Sequence, residues 1–349
     1  MQIISPVDSA YEAELLFKAG ATELFCGYLP LEWIERYQIL KGSHVQSQKS
    51  SELISVSLNK RNNLDGNITN RDELLEIIKV KERCGGKAFV TLNAFYYTSE
   101  EYGFLEKYVR ELLNWGIDGF IVTDVSLIVF IHRRFPQCYL ILSCCNQIAN
   151  TYSINMFKDL GVRRVTFPRH ITLSEMEIIC SSEVEMDYEC FILDSRCVYD
   201  DGNCRAMHNL GHFCMEQWDY EYYRADGKEY VDFEEIEKIR SNEMKFVQWS
   251  KPYLALNAKN NGWYAISCAA CLVPFLIKHE KMKSLKIAGR GLDTKSKIQM
   301  VRTVKKMISL AHEDNAVQKE KEYISKLVGV PELCDLQYRC LVPSSRFTL

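Results

Sequence analysis

The stretch "NWGIDGFIVTD", Asn114 to Asp124, decides the fold. It closes an amphipathic pattern that begins at Glu100, passes a glycine at 116, and turns at once into a short apolar run. Glycine just beyond a helical pattern is a common stop, because it enters the left-handed conformation at little steric cost. A brief apolar run straight after it reads as a strand. The same unit of helix, glycine and strand recurs in "KAGATELF" (18–25), "CGGKAFV" (84–90) and "DLGVRRVTF" (159–167).

Working outward, the strand-like runs are "QIISP" (2–6), "TELFCG" (22–27), "KAFVTLN" (87–93), "GFIVTD" (119–124) and "YLILSC" (139–144), followed by "RVTFP" (164–168), "YECFIL" (188–193) and "SLKIAG" (284–289). Helical patterns at Ser9 to Ala19, Asp72 to Cys84, Glu100 to Trp115, Ser153 to Leu160 and Ser174 to Ser181 lie between them. Eight strands alternating with helices predict a parallel (β/α)₈ TIM-like barrel. An open doubly wound sheet fits less well, since no G-x-G-x-x-G turn follows the first strand. The rhythm breaks twice. About sixty residues separate strands two and three, with room for a helix near Pro30 to Tyr37, and about ninety separate strands seven and eight. The expected organisation is a barrel over 1–312 that includes an insertion at 194–283, then a helix ("KEKEYISKL") and tail over 313–349.

A net charge of −3 with 47% hydrophobic residues is the composition of an ordinary globular chain rather than a strongly basic nucleic-acid binder. The opening "MQIISPVDSAYEAELL" lacks the basic start and long apolar core of a signal peptide, and no window reaches the length of a membrane span. A cytoplasmic protein is expected.

Fourteen cysteines are many for 349 residues. The cytosol disfavours disulfides, so a clustered excess points to metal or redox chemistry. Cys26, Cys84, Cys138 and Cys180 sit in or beside apolar segments and read as packing residues. The stretch "ECFILDSRCVYDDGNC" (189–204) is different. Its strand, with Cys190 on a buried face, opens into a polar loop holding Cys197 and Cys204, and Cys214, Cys268 and Cys271 follow. Thiolates in such a set suit structural zinc or an iron–sulfur cluster. Only Cys268 and Cys271 form a C-x₂-C pair, so spacing leaves zinc, a cluster and plain packing all open. The loop after strand seven is nevertheless where a barrel of this kind does its chemistry.

Ordered motifs carry a resemblance. "IISPVDSAYEAELLFKAGATELFCG", "KAFVTLNAF", "GIDGFIVTD", "LSCCNQIANTYSINMFKDLGVRRVTFPRHITLSEM" and "SLKIAGR" are similar, in order, to segments of peptidase family U-32, the collagenase-like peptidases, over roughly residues 1 to 310. The family's strand-seven motif aligns with "ECFILDSRCVYDDGNC" without a gap, and "NLGHFC" resembles its next element. The resemblance implies a 4Fe-4S cluster on Cys197, Cys204, Cys214 and Cys268, with Cys271 a rival for the fourth place. It also implies oxygen-independent hydroxylation, of RNA bases or quinone precursors in several members, with prephenate as the implied oxygen donor. This chain departs from the family at Leu193-Asp194, where a His-Gly is usual, at His170, where a Glu follows the arginine, and at Ala288, which replaces the glutamate of K-I-E-G-R. Groups able to move protons or bind substrate are thereby lost.

The candidate catalytic residues are Arg169 and His170 after strand six, and Lys286 and Arg290 around strand eight. Their cations suit an anion pocket, or else salt bridges to Asp124 or Asp194. Asn93, Asp124 and Asn150 stand at or soon after strand ends as polar lining. The expected substrate is a small molecule or peptide. Bulk nucleic acid is not expected, because the charge is near neutral and Arg133-Arg134 and Arg163-Arg164 are isolated doublets. The alternatives are a peptidase using Cys144 or Cys145 with His170 as base, or a non-catalytic cluster-bearing subunit completed by a homologous partner. If the cluster reading holds, Cys197→Ala or Cys204→Ala abolishes visible absorbance and iron binding in anaerobically purified protein, whereas Cys190→Ala leaves both.

Overall fold

The computed structural model describes residues 1–37, 58–60, 66–194, 267–328 and 340–341, with scattered positions between 202 and 241. Its strands are β1 (Gln2–Pro6), β2 (Glu23–Cys26), β3 (Lys87–Leu92), β4 (Gly119–Val122), β5 (Tyr139–Leu142), β6 (Val162–Thr166), β7 (Asp187–Asp194), β8 (Ser267–Cys268) and β9 (Met282–Ile287). From β1 to β7 each strand pairs in parallel with the next; β7 then pairs with β9, and β9 returns to β1. The result is a closed barrel of eight parallel strands, as the helix, glycine, strand units predict. β8 lies outside the ring, antiparallel to the end of β7, with Cys268 opposite Leu193.

Helices α1 (Ala10–Ala19), α2 (Leu31–Tyr37), α3 (Arg71–Cys84), α4 (Tyr102–Trp115), α5 (Val125–Arg134), α6 (Thr151–Asp159) and α7 (Leu173–Ser181) follow their strands. Gly116 ends α4 with φ 105°, and its N–H reaches back to the Leu112 and Leu113 carbonyls. Side chains of Ser9, Asn70, Asp124, Asn150 and Thr172 accept backbone N–H groups at the starts of α1, α3, α5, α6 and α7. Each such cap is worth about 1 kcal/mol. Asp124 and Asn150, expected as lining, are therefore fixed at helix starts.

Three expectations change. β6 begins at Val162, two residues before the expected start. Cys84 is exposed rather than packed, because it stands in the last turn of α3 on the solvent side. Helix α5 was not singled out, although its apolar positions recur at helical spacing and bury Leu127, Ile128 and Ile131.

The core has two parts. Residues such as Leu24, Val90, Phe120, Leu142 and Val165 face outward from the strands and pack under the helices. Each large aliphatic or aromatic chain buried in this way contributes roughly 1.5–3 kcal/mol. Inside the barrel, alternate positions bring Ile4, Phe25, Phe89, Ile121 and Ile141 together. This apolar filling comes from β1 to β5. The interior of β6, β7 and β9 is charged instead, through Arg164, Glu189 and Lys286.

Helix Thr294–Leu310 docks on α1, where the buried Lys297 ammonium pairs with Asp8 and with Glu12 at 2.9 Å. Helix Ala316–Val328 packs on the 3-10 turn Ala270–Leu272 and on helix Thr294–Leu310. Among the described residues no helix is long and apolar enough to cross a membrane.

Glu320, in that last helix, is fully buried, and neither carboxylate oxygen has a hydrogen-bond partner. Burial pushes its carboxyl up to about 8 from the ordinary 4.5. The folded chain therefore keeps a proton that the unfolded chain loses near pH 4.5, so stability falls as pH rises towards 8 and then levels. Glu320→Gln is expected to remove this slope and to be more stable at pH 8 by on the order of 1–3 kcal/mol. Denaturant midpoints across pH 5 to 9 measure it; parallel curves for the two proteins would refute it.

Candidate functional site

The C-terminal ends of the strands form one mouth, and the insertion between β2 and β3 returns to it. Residues 58–60 are clamped there. The Tyr97 hydroxyl donates to the Leu58 carbonyl at 2.7 Å, and the Lys60 N–H donates to Asn93 Oδ1 at 3.1 Å. That contact is the observed use of Asn93.

Arg290, three residues past β9, is seated in a polar cradle and is only 7% exposed. Its guanidinium donates to Asn59 Oδ1 at 3.2 Å, Asn67 Oδ1 at 3.2 Å and Thr91 Oγ1 at 3.1 Å. Asn59 donates in turn to Asn67 at 3.0 Å. Gly27, just past β2, makes this possible: a Cβ there would overlap Asn67 and the guanidinium. The planar fork is thus held in one orientation by neutral amide and hydroxyl groups.

Lys286 is deeper. Its ammonium pairs with Glu189 Oε1 at 2.6 Å and lies over the Phe25 ring, 4.6 Å from the centroid. The expected partners were Asp124 or Asp194, but Asp124 caps α5 while Glu189, one residue before the strand's cysteine, is in reach. Glu189 is 0% exposed, and it also accepts from Thr166 Oγ1 at 2.9 Å and Arg164 at 3.3 Å. Burial alone would raise its carboxyl; Lys286 and Arg164, with the hydrogen bonds from Lys286 and Thr166, outweigh that and hold it below the ordinary value. Arg164 spans the barrel to Glu23 of β2 with contacts of 2.6 and 2.9 Å. Burial opposes its charge, but Glu23 and Glu189 more than compensate. Lys286 is thereby part of the barrel's internal ion network.

Arg169 remains at the mouth. Its guanidinium stacks over the Phe191 ring at 4.2 Å and reaches Cys144 Sγ at 4.0 Å. Lys286 lies 5.7 Å from the centroid of the same ring. Cys144 and Cys145 form a buried 3-10 turn after β5, and Lys60 approaches Cys145 Sγ at 3.6 Å. The cations Lys60 and Arg169 thus flank the two thiols. His170 stands beside Glu175, whose carboxyl is held low first by the Thr172 N–H and hydroxyl and then by this imidazole.

Cys268 sits beside the end of β7, and its sulfur receives the Ala270 N–H at 3.4 Å. That is the kind of donor a metal-bound thiolate uses, so Cys268 fits a ligand's surroundings. Cys271 lies in the next turn, and the backbone of Cys340 makes an isolated parallel β-bridge with that of Cys268. Cys197, Cys204 and Cys214 lie outside the described residues. A Cβ at Gly202, between the first two, would overlap the Gln147 side chain and the Cys145 carbonyl, so this glycine lies close against the turn after β5. Among the described residues no three His, Cys, Asp or Glu side chains form a metal-binding group. Cys190 is buried against Met176, and burial pushes its thiol up to about 12, which is a packing environment.

Asn59, Lys60, Asn67 and Gly27 were missed in the sequence. The polar run "SLNKRNN" (57–63) was a signal, but nothing in it says that the segment returns to the mouth.

The profile of peptidase family U32 matches residues 11–333. tRNA hydroxylation protein P1 of Bacillus subtilis (strain 168) is 28% identical over 164 residues, covering 45% of this chain and 38% of its own. tRNA hydroxylation protein P of Escherichia coli (strain K12) is 26% identical over 170 residues, covering 46% and 36%. The 23S rRNA 5-hydroxycytidine C2501 synthase of the same organism is 24% identical over 136 residues, covering 39% and 20%. The chain spans under half the length of these relatives. A solved U32 peptidase, Mk0906, superposes with a TM-score of 0.38 at 12% identity, over 55% of this chain and 69% of that one.

These names correct one expectation. A small molecule or peptide in place of nucleic acid does not stand, because the relatives are named for hydroxylating tRNA and for a modified base of 23S rRNA. Net charge was the wrong measure, since contact with phosphates depends on local cations rather than on their sum.

Glu189→Gln would leave Lys286 and Arg164 short of a buried counter-charge. The expected loss is about 3–5 kcal/mol, read as a lower denaturant midpoint; a loss below about 1 kcal/mol, the scale of an exposed pair, would show that the network does not hold the barrel.

Proposed function

Because the chain belongs to peptidase family U32, we propose that it hydroxylates a base in RNA at the C-terminal mouth of its barrel. The observation that carries this reading is the run of relatives named for tRNA hydroxylation, together with one named for 5-hydroxycytidine in 23S rRNA. A 4Fe-4S cluster would be held by Cys197, Cys204, Cys214 and Cys268, and the N–H donated to the Cys268 sulfur supports that residue's part. Such a cluster, when bound, supplies one-electron transfer.

The chain's own residues divide the remaining work. Arg290, fixed by Asn59, Asn67 and Thr91, presents an oriented cation for a carboxylate or phosphate oxygen. Arg169 offers a second cation above Phe191. Lys286 keeps the floor of the site charge-balanced through Glu189 rather than contacting substrate. His170 is the nearest imidazole to Arg169 in sequence and the candidate for proton transfer. The acid–base groups that this chain lacks at 193–194 and 288 are consistent with a different target base from those of its relatives.

The test is to express the chain in a host stripped of its own RNA hydroxylases and to digest tRNA and rRNA to nucleosides for mass spectrometry. A nucleoside heavier by one oxygen atom, lost with Arg290→Ala, is expected. Its absence from RNA of cells whose protein carries iron would overturn the reading.

A further inference from the structure

Aromatic rings and cations alternate across the mouth. Phe95 and Tyr96 follow the end of β3 and are 40% and 64% exposed. Lys60 lies 5.4 Å from the Phe95 ring centroid and reaches Cys145 after β5. From the neighbouring Cys144 the line continues to Arg169 after β6 and to the Phe191 ring of β7. Tyr152, in the first turn of α6, is 88% exposed at the same end of the barrel. Exposed aromatics at one end of a barrel are candidates for contact, and of these Phe95 stands beside a cation, Lys60, while the buried Phe191 ring carries Arg169.

We propose that this line is a track for unpaired RNA: bases stack on Phe95, Tyr96 and Tyr152, while Lys60 and Arg169 meet the phosphates between them. The inference rests on the RNA reading above and adds to it the state of the RNA and the residues that hold it. Rings give a base a face to stack on only where that base is not already stacked in a duplex, and single-strand grooves combine such rings with backbone cations. A peptide would leave the alternation unused. A duplex could meet the cations but not the rings.

The experiment uses the full chain, purified anaerobically, and fluorescence anisotropy with a labelled single-stranded RNA and with its duplex. The single strand is expected to bind more tightly. Tyr96→Ala should weaken it on the order of ten-fold with the salt dependence unchanged. Lys60→Ala should lower the slope of log affinity against log salt by about one. Lys79→Ala, on the outer surface of α3, should alter neither. Denaturant midpoints equal to the parent's confirm that each variant is folded. Equal affinity for duplex and single strand, or parent-like binding by both mouth variants, would overturn the track. Hydroxylation without any variant effect would remove the track and leave the function standing. Variant effects on binding without hydroxylation of any RNA would do the reverse.

Discussion

A carboxylate with no access to water holds the charged half of the barrel together. Glu189 on β7 meets Arg164 of the preceding strand and Lys286 of the following one, and Arg164 reaches across the lumen to Glu23 of β2. Ions inside a barrel are tolerated only when each is matched, since an unmatched buried charge costs several kcal/mol. The ring is thereby closed where no apolar filling is present. The apolar half, from Ile4 round to Ile141, needs only shape. Everything at the mouth stands on this floor: Phe191 lies between Lys286 below and Arg169 above, so the position of the half-buried guanidinium depends on the ion pair beneath it.

The mouth itself is assembled from far-apart segments. Arg290 comes from the last strand, Asn59 and Asn67 from the excursion after β2, and Thr91 from β3. None of these contacts is local, so each requires segments far apart in sequence to be brought together.

The barrel was legible because its signal is local and repeated: a glycine stop and an apolar run, several times over, as at Gly116 and Gly161. Strand ends shifted by a residue or two, and α5 was passed over although Leu127, Ile128 and Ile131 mark its buried side. The site was legible only as single residues. Arg169 and Arg290 could be placed at strand ends, but the cradle around Arg290 could not, because the return of 58–60 is a tertiary event. Lys286 carried a misleading signal. A lysine on a strand suggests a reactive cation, and only the register of β7 against β9 reveals that Glu189 neutralises it. The partner class failed for a related reason, since a sum over the chain conceals where its cations converge.

The backbone pairing of Cys340 with Cys268 gives residues 340–341 a place beside β8. The Leu341 N–H donates to the Cys268 carbonyl at 2.9 Å, so the backbone of a candidate ligand is held from outside the barrel by a segment more than seventy positions later in sequence. A change of backbone at 340–341 therefore acts on the same short piece of chain that positions a cysteine.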